Sequence, residues 1–400
     1  MLGPGRAAAI EAARELAIPT TEPEEWRYSR IEELDLDNLR PAQRPAAPPT
    51  PGGAPGRLRA SLDNAAAELV LAGGWPTGSH SQTGDVAIAD AAVAPGSTNG
   101  EHFTLLNTAL TPGLQQIEVR AGARVDDPIV VIDAAGDDGE LAAPRLRIEV
   151  GDRASATIVH LVWSPQAHGV IVPVTELSVG DEAHVALVTI NSLEVRTWAL
   201  GRLVADIGRD ARLGLHTFAT GGYYSRTSIE ATLAAAGARL DNRGLYLGAD
   251  AQMHDFRLRQ RHVGEHTTSR FVLRGAVRDR AEGVFTGVVR MERGARGADG
   301  AQDAKHLVLE EGAHVDSVPN LEIEENQVVC SHASSIGPVD ADQVFYLESR
   351  GVPTSQATRL IARGFLRDGE AGLRPPGLAA ALSELLAEQL APELVAPLIR

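Results

Sequence analysis

Gly122-Ala-Arg-Val, Gly151-Asp-Arg-Ala, Gly180-Asp-Glu-Ala, Gly208-Arg-Asp-Ala and Gly237-Ala-Arg-Leu recur at spacings of 29, 29, 28 and 29 residues. Each is preceded by a short apolar segment, such as Leu146-Arg-Ile-Glu-Val150, and most are followed by another, such as Val185-Ala-Leu-Val-Thr-Ile190. Gly312-Ala-His-Val resembles a late copy. No stretch between about residues 60 and 335 sustains a helical period, so strands dominate there. A near-constant period with a glycine corner between short strands suits a β-solenoid, in which each coil buries its apolar face only against its neighbours. The corner glycines would supply the positive φ that a tight turn requires. An antiparallel sandwich with hairpins of similar length is the competing arrangement.

On either side of this array the texture changes. Residues 1–40 read as helical: Ala7–Ala17 is rich in Ala, Glu and Arg, and Thr21 to Trp26 looks like a helix start with acids in its first turn. Residues 41–56 hold six prolines and three glycines, the composition of an extended linker over 41–58. The core is then expected over 59–338 and a helical domain over 339–400. In that domain Asp340 caps Ala341–Ser349, and Thr354 or Ser355 opens a helix to about Arg367 with a stripe of Leu360, Ile361 and Phe365. Leu378 to Leu390 makes a third helix. Helices at both termini would cap the open strands at the solenoid ends.

Composition narrows the function. With 37 Lys+Arg against 53 Asp+Glu the net charge is −16, which argues against a basic nucleic-acid footprint or docking to anionic lipid. Aromatics are only 4%, so the core must be built from Ala, Val, Leu and Ile. The single cysteine, Cys330, excludes an internal disulfide and a self-sufficient four-thiolate site. The N-terminus lacks the basic-then-apolar order of a signal peptide and no 18-residue apolar run occurs, so a cytoplasmic location is expected. The Gly294–Gly300 stretch lacks the Gly-Lys-Ser/Thr of a P-loop, and neither Gly-x-Gly-x-x-Gly nor Gly-x-Ser-x-Gly is present. Glu310-Glu311 and Glu324-Glu325 place their members on opposite faces of a strand, which is unsuited to a glycosidase pair.

Two clusters can carry chemistry. Cys330 and His332, two apart, share one face of a strand. They admit a metal or an activated thiolate, or simply a small buried thiol beside a hydrogen-bonded histidine, and zinc would need further ligands that His306 and His314 do not supply by spacing. His254, His262 and His266 lie in a segment that also carries Arg257, Arg259 and Arg261, and read as a polar, solvated solenoid face.

Asn326-Gln-Val-Val-Cys-Ser-His-Ala-Ser-Ser-Ile-Gly337, followed by Asp342-Gln-Val-Phe-Tyr-Leu-Glu-Ser-Arg-Gly351, resembles the C-terminal signature of the SufB/SufD family, scaffold subunits of the SUF iron–sulfur cluster assembly machinery. Glu25-Trp-Arg-Tyr-Ser29 is similar to the family's N-terminal motif. Within the family the chain resembles the SufD branch. The segment Asp299–Leu309 lacks the cysteine that SufB keeps upstream of its histidine, and Ala333 stands where SufB has a Glu. The resemblance implies a mainly β fold, a right-handed parallel β-helix core flanked by N- and C-terminal α-helical regions. It further implies a non-enzymatic scaffold that forms a heterodimer with SufB through the ends of the β-helices and docks the ATPase SufC on its C-terminal helices. His332, and with less weight Cys330, would stand at the cluster-assembly interface, His332 completing a metal site whose other ligands come from SufB. No cofactor would be held by the chain alone: a transient iron–sulfur cluster forms with SufB, and ATP acts through SufC. Gln343, Phe345, Tyr346, Leu360 and Phe365 are candidates for the SufC-facing or adjacent packing surface. A homodimer is expected to be accessible when SufB is missing. The alternatives are a β-solenoid carbohydrate-active enzyme, with the Arg257–Arg261 run as its basic face, and a stand-alone metal-binding protein using Cys330, His332 and His314.

Overall fold

The computed structural model of the chain describes residues 10–11, 18–47, 49–62, 64–93, 101–164 and 169–390. It is a parallel β-solenoid of about 8 turns with helices towards both termini. Successive strands alternate between two facing sheets, of 12 and 10 strands. Tyr224–Leu233, for example, lies in the first sheet, Arg239–Gly248 in the second and Met253–His262 in the first again. Tyr224 pairs with Met253 and Met253 with Glu282, a coil of 29 residues, and the last coil widens so that Glu282 pairs with His314. Alternate residues of each strand point into the lumen, the even positions in most strands and the odd ones in Ala67–Ala72 and Ile129–Ala134, and there Ala, Val, Ile and Leu fill the early coils. The later coils take aromatic rings instead: Phe271 stacks on Phe285 at 5.3 Å and Tyr246 on Phe256 at 5.6 Å.

The corners confirm the period but correct the role of the glycines. Gly122 and Gly237 do adopt positive φ. At the intervening corners that conformation falls instead on Arg153, Glu182 and Asp210, two residues after Gly151, Gly180 and Gly208. Two corner lines are therefore interleaved. In one, the N–H groups of Gly122, Arg153, Glu182, Asp210 and Gly237 donate to carbonyls of the next coil; in the other, Gly151, Gly180 and Gly208 donate to the previous one. The second line needs glycine because the coils touch there: a Cβ on Gly180 would lie 2.6 Å from the Asp152 backbone nitrogen. Gly312 belongs to neither line, since it sits at the opposite corner beside the Asp279 carbonyl. We expect Gly180→Ala to destabilise the protein by about 2 kcal/mol. Glu182→Gly, relieving a left-handed side chain, should be neutral or stabilise by up to about 1 kcal/mol. Urea denaturation of both variants tests the assignment.

The N-terminal end of the solenoid is sealed by strands rather than by the helices expected there. Trp75–Ser81 pairs antiparallel with Ala67–Ala72, and Val86–Ala91 pairs antiparallel with Leu114–Val119, so each sheet ends in an antiparallel strand. The helices cover faces instead. Gly53–Ala60, Thr354–Leu366 and Pro376–Leu390 pack on the outside of the ten-stranded sheet, burying Leu58, Leu366, Leu378, Leu382 and Leu386 against Val159, Leu161, Val188 and Phe218. The helix Gly53–Ala60 overrides the linker expectation. Pro55 lies in its first turn, where no backbone N–H is required, and Leu58 anchors it in the C-terminal helices. The expected helix at Ala7–Ala17 lies outside the described residues apart from residues 10 and 11.

The segment after Thr21 forms turns and a single 3₁₀ turn, Ile31–Glu33, instead of a helix. Its carbonyls have other partners: Arg226 donates to Glu25 O at 3.1 Å, and Arg257 donates to Arg27 O at 2.8 Å and to Glu24 O at 3.4 Å. Trp26, under the Arg226 guanidinium at 3.7 Å, is buried with Ile31 and Leu34 on the outside of the twelve-stranded sheet. Tertiary contacts thus outweigh a local helix signal.

Candidate functional site

The C-terminal end of the solenoid is left open. His314–Ile323 and Val329–Gly337 are the terminal strands of the two sheets, each hydrogen-bonded to one neighbour only. Their outer edges carry unpaired backbone groups, and Ile323, Val329 and Ile336 are 50%, 65% and 46% exposed. Exposed apolar side chains along an unpaired edge are what folded proteins hide unless another chain covers them.

Cys330 and His332 both lie on this edge strand. Cys330 pairs with Gly300 and His332 with Gln302, so the two side chains stand on the lumen-facing side of the last coil. Ser334, further along the same face, is hydrogen-bonded across the lumen to Ser317 at 2.7 Å. The His332 ring is exposed and makes no side-chain hydrogen bond among the described residues. Cys330 is half-buried against the cluster of Val289, Met291, Ala295 and Ala298. Burial pushes its thiol up, and the Asp299 carboxylate pushes it further, so at neutral pH it is a protonated thiol and not an activated nucleophile. Alkylation of Cys330 by iodoacetamide at pH 7.5 is therefore expected to be several-fold slower than that of a free cysteine. A rate equal to or above the free thiol's would contradict this.

The other candidate histidines do not join them. His306 is inside the lumen, its Nδ1 2.8 Å from the Tyr246 hydroxyl, and His314 lies on the other sheet, 3.3 Å from Asp316. Among the described residues no group of three or more His, Cys, Asp or Glu side chains is placed to hold a metal ion. His254 and His262 are not on a solvated face. Both are fully buried in the lumen, with His262 hydrogen-bonded to Thr267 and Ser269 at 2.8 Å each; only His266, at a corner, is exposed. The expectation failed because the strand alternates: Arg257, Arg259 and Arg261 point outward while the histidines point in. Arg257 is itself buried on Asp255 and the N-terminal segment, and Arg261 is paired with Glu292, while Arg259 stays exposed.

The helical candidates divide. Ala341–Glu348 is capped as expected, Asp340 Oδ1 accepting from Asp342 N at 2.9 Å, and Gly351 at φ +83° ends it before Pro353. This helix buries none of its residues: Gln343 is exposed, Phe345 is 71% and Tyr346 58% exposed, and Tyr346 lies beneath the Arg350 guanidinium. The stripe on Thr354–Leu366 does not act as one face. Leu360 is 55% exposed, whereas Phe365 packs inward on the ten-stranded sheet near Arg274. What sequence reasoning missed is Asp255, which joins Tyr224, Arg226 and Arg257 beneath the Glu25–Ser29 motif. Its only signal was an acid followed by arginines at alternate positions, 257, 259 and 261.

The chain is thus a β-solenoid closed by antiparallel strands at one end and presenting a Cys-x-His strand on an unpaired edge at the other. The family model "SUF system FeS cluster assembly, SufBD core domain" matches residues 131–365. An iron–sulfur cluster assembly SufBD family protein of Mycobacterium tuberculosis is 30% identical over 78% of this chain and 80% of its own length. The iron–sulfur cluster assembly proteins SufD of Escherichia coli and Bacillus subtilis are 25% and 29% identical, over 90% and 66% of this chain and 86% and 62% of their own lengths. The chain belongs to the SufBD family. No helix among the described residues is long and apolar enough to cross a membrane.

Proposed function

We propose that this chain is a non-enzymatic scaffold of SUF iron–sulfur cluster assembly, pairing with SufB through its open end and docking the SufC ATPase on its C-terminal helices. The observation that carries this reading is the outermost strand. Val329–Gly337 offers an unpaired edge with Val329 and Ile336 exposed, and it holds Cys330 and His332 on the same rim. Edge-to-edge pairing with a second solenoid would satisfy the free backbone groups and bury those side chains. It would also place the His332 imidazole against the partner. The cluster is cargo. One cysteine, protonated at neutral pH, is too little for it, so the sulfur ligands come from SufB and the His332 imidazole completes the site.

The exposed Phe345 and Tyr346, with Gln343 beside them and Leu360 on the next helix, support a second docking surface next to the open end. Driving a change at the interface requires SufC to contact these helices differently in its two nucleotide states. An isolated chain can pair the same edge with its own copy, giving a homodimer. A cytoplasmic location fits these partners.

Co-expression with SufB and SufC is expected to yield a stable complex that carries iron and sulfide, while the isolated chain carries neither in stoichiometric amount. His332→Ala should lower cluster formation at least about 10-fold with the heterodimer retained. Failure to co-purify with SufB in mild salt, or turnover by the chain alone, would count against the proposal. Loss of the heterodimer in His332→Ala would make the residue structural.

A further inference from the structure

The layer of the lumen directly beneath Cys330 and His332 holds a buried carboxamide that the fold does not use. Gln302 is the parallel-strand neighbour of His332 and 2% exposed, yet neither its Nε2 nor its Oε1 has a hydrogen-bond partner among the described residues. Native interiors seldom leave such a group unpaired, and one that is calls for a ligand or a functional partner. Its neighbours leave it space. Gly287 faces it, and a Cβ there would collide with Gln302 Oε1, so the amide lies across the lumen at this level. Gly300, beneath Cys330, has no side chain at all. Of the other polar groups of these coils, Ser317 and Ser334 bond each other, and the His306 ring is held by Tyr246 through Nδ1, its Nε2 being left without a partner among the described residues.

Parallel neighbours stand about 4.8 Å apart with their side chains on one face, so the Gln302 amide is within reach of the His332 ring. That ring, exposed and free of side-chain hydrogen bonds, has nothing to choose its tautomer or orientation. An imidazole that ligates a metal through one nitrogen needs the other N–H fixed by an acceptor. We infer that Gln302 is a positioning residue for His332: as a partner closes the open end, Gln302 Oε1 accepts a hydrogen bond from one ring N–H and leaves the lone pair of the other nitrogen directed at the iron. This rests on the function proposed above.

The test uses the full chain in complex with SufB and two variants. Gln302→Met keeps the shape and removes the amide; Gln302→Glu keeps an acceptor. The first readout needs no iron. Long-range proton–nitrogen correlations of ¹⁵N-histidine-labelled complex, with His332 assigned by its absence in His332→Ala, should show one tautomer in the parent and in Gln302→Glu, and a mixture in Gln302→Met. The second is cluster retention, expected to fall about 10-fold in Gln302→Met, to recover in Gln302→Glu, and not to fall further when Gln302→Met is added to His332→Ala. An unchanged tautomer in Gln302→Met, or an equal loss on both backgrounds, overturns the inference and makes Gln302 a packing residue. A complex that never acquires iron overturns the proposed function instead, while the tautomer measurement still decides the role of Gln302.

Discussion

Acidification from pH 7 to about 4.5 is expected to remove most of the stability of the solenoid's C-terminal coils. His254, His262 and His306 are 0%, 0% and 2% exposed. Burial pushes each of them down to about 4; at His262 the Asp299 carboxylate opposes the shift, and at His306 the Arg274 guanidinium adds to it. In the unfolded chain each titrates near 6.5. Between those values the unfolded state binds protons that the folded state refuses. The stability these histidines contribute is thus fully present above pH 6.5 and is lost as pH falls towards 4. The loss is about 3 kcal/mol for each and on the order of 10 kcal/mol together, as large as the whole stability of an ordinary domain. His216, also lowered by burial, acts in the same direction. Urea midpoints measured from pH 7.5 to 4.5 should correspond to an uptake of about three protons on unfolding near pH 5, and His262→Gln should reduce that by about one. A flat profile down to pH 5 would mean that the lumen admits water around these rings.

These histidines mark where sequence reading stopped. The period was legible because every coil must present strands of similar length to its neighbours, and that imprints a spacing on the chain. Which glycine stands at which corner was not legible, because two corner positions two residues apart both select glycine, one for φ and one for close approach. Alternation told that His254 and His262 share a face with each other, but not which face, since the opposite face of the same strand carries Arg257, Arg259 and Arg261. Arginines outside and histidines inside become evident only once the N-terminal segment is seen to cover the arginine side. The open end shows the converse. Cys330 and His332 were placed on one strand face from spacing alone, and the structure puts that strand at the edge of its sheet. That the expected caps are face-covering helices, with antiparallel strands closing only the N-terminal end, depends on contacts between residues far apart in the chain.

Asp255→Ala is expected to destabilise the protein by about 3–5 kcal/mol and to free the N-terminal segment. The carboxylate is fully buried and accepts from Tyr224 Oη at 2.6 Å, Arg226 Nη1 at 3.0 Å and Arg257 Nε at 2.5 Å. The two guanidiniums, 2% and 6% exposed, hold the carbonyls of Glu24, Glu25 and Arg27 in turn, so one anion orients both cations on which the segment rests. Its removal leaves them facing each other without their buried counter-charge; among the described residues Glu25, 3.4 Å from Arg226, is the carboxylate still paired with one of them. Tyr224→Phe removes a single hydrogen bond and should cost only about 1–2 kcal/mol. Replacing all three charges by apolar residues of similar size, Asp255→Leu with Arg226→Met and Arg257→Met, should be milder for the solenoid than Asp255→Ala alone, because no buried charge is stranded. It should still release the segment, since the carbonyls lose their donors. Limited proteolysis between residues 18 and 34 separates the two effects from global unfolding in urea. If Asp255→Ala left the segment protected and the urea midpoint unchanged, Trp26, Ile31 and Leu34 would be sufficient to hold it, and the buried charges would contribute no net stability.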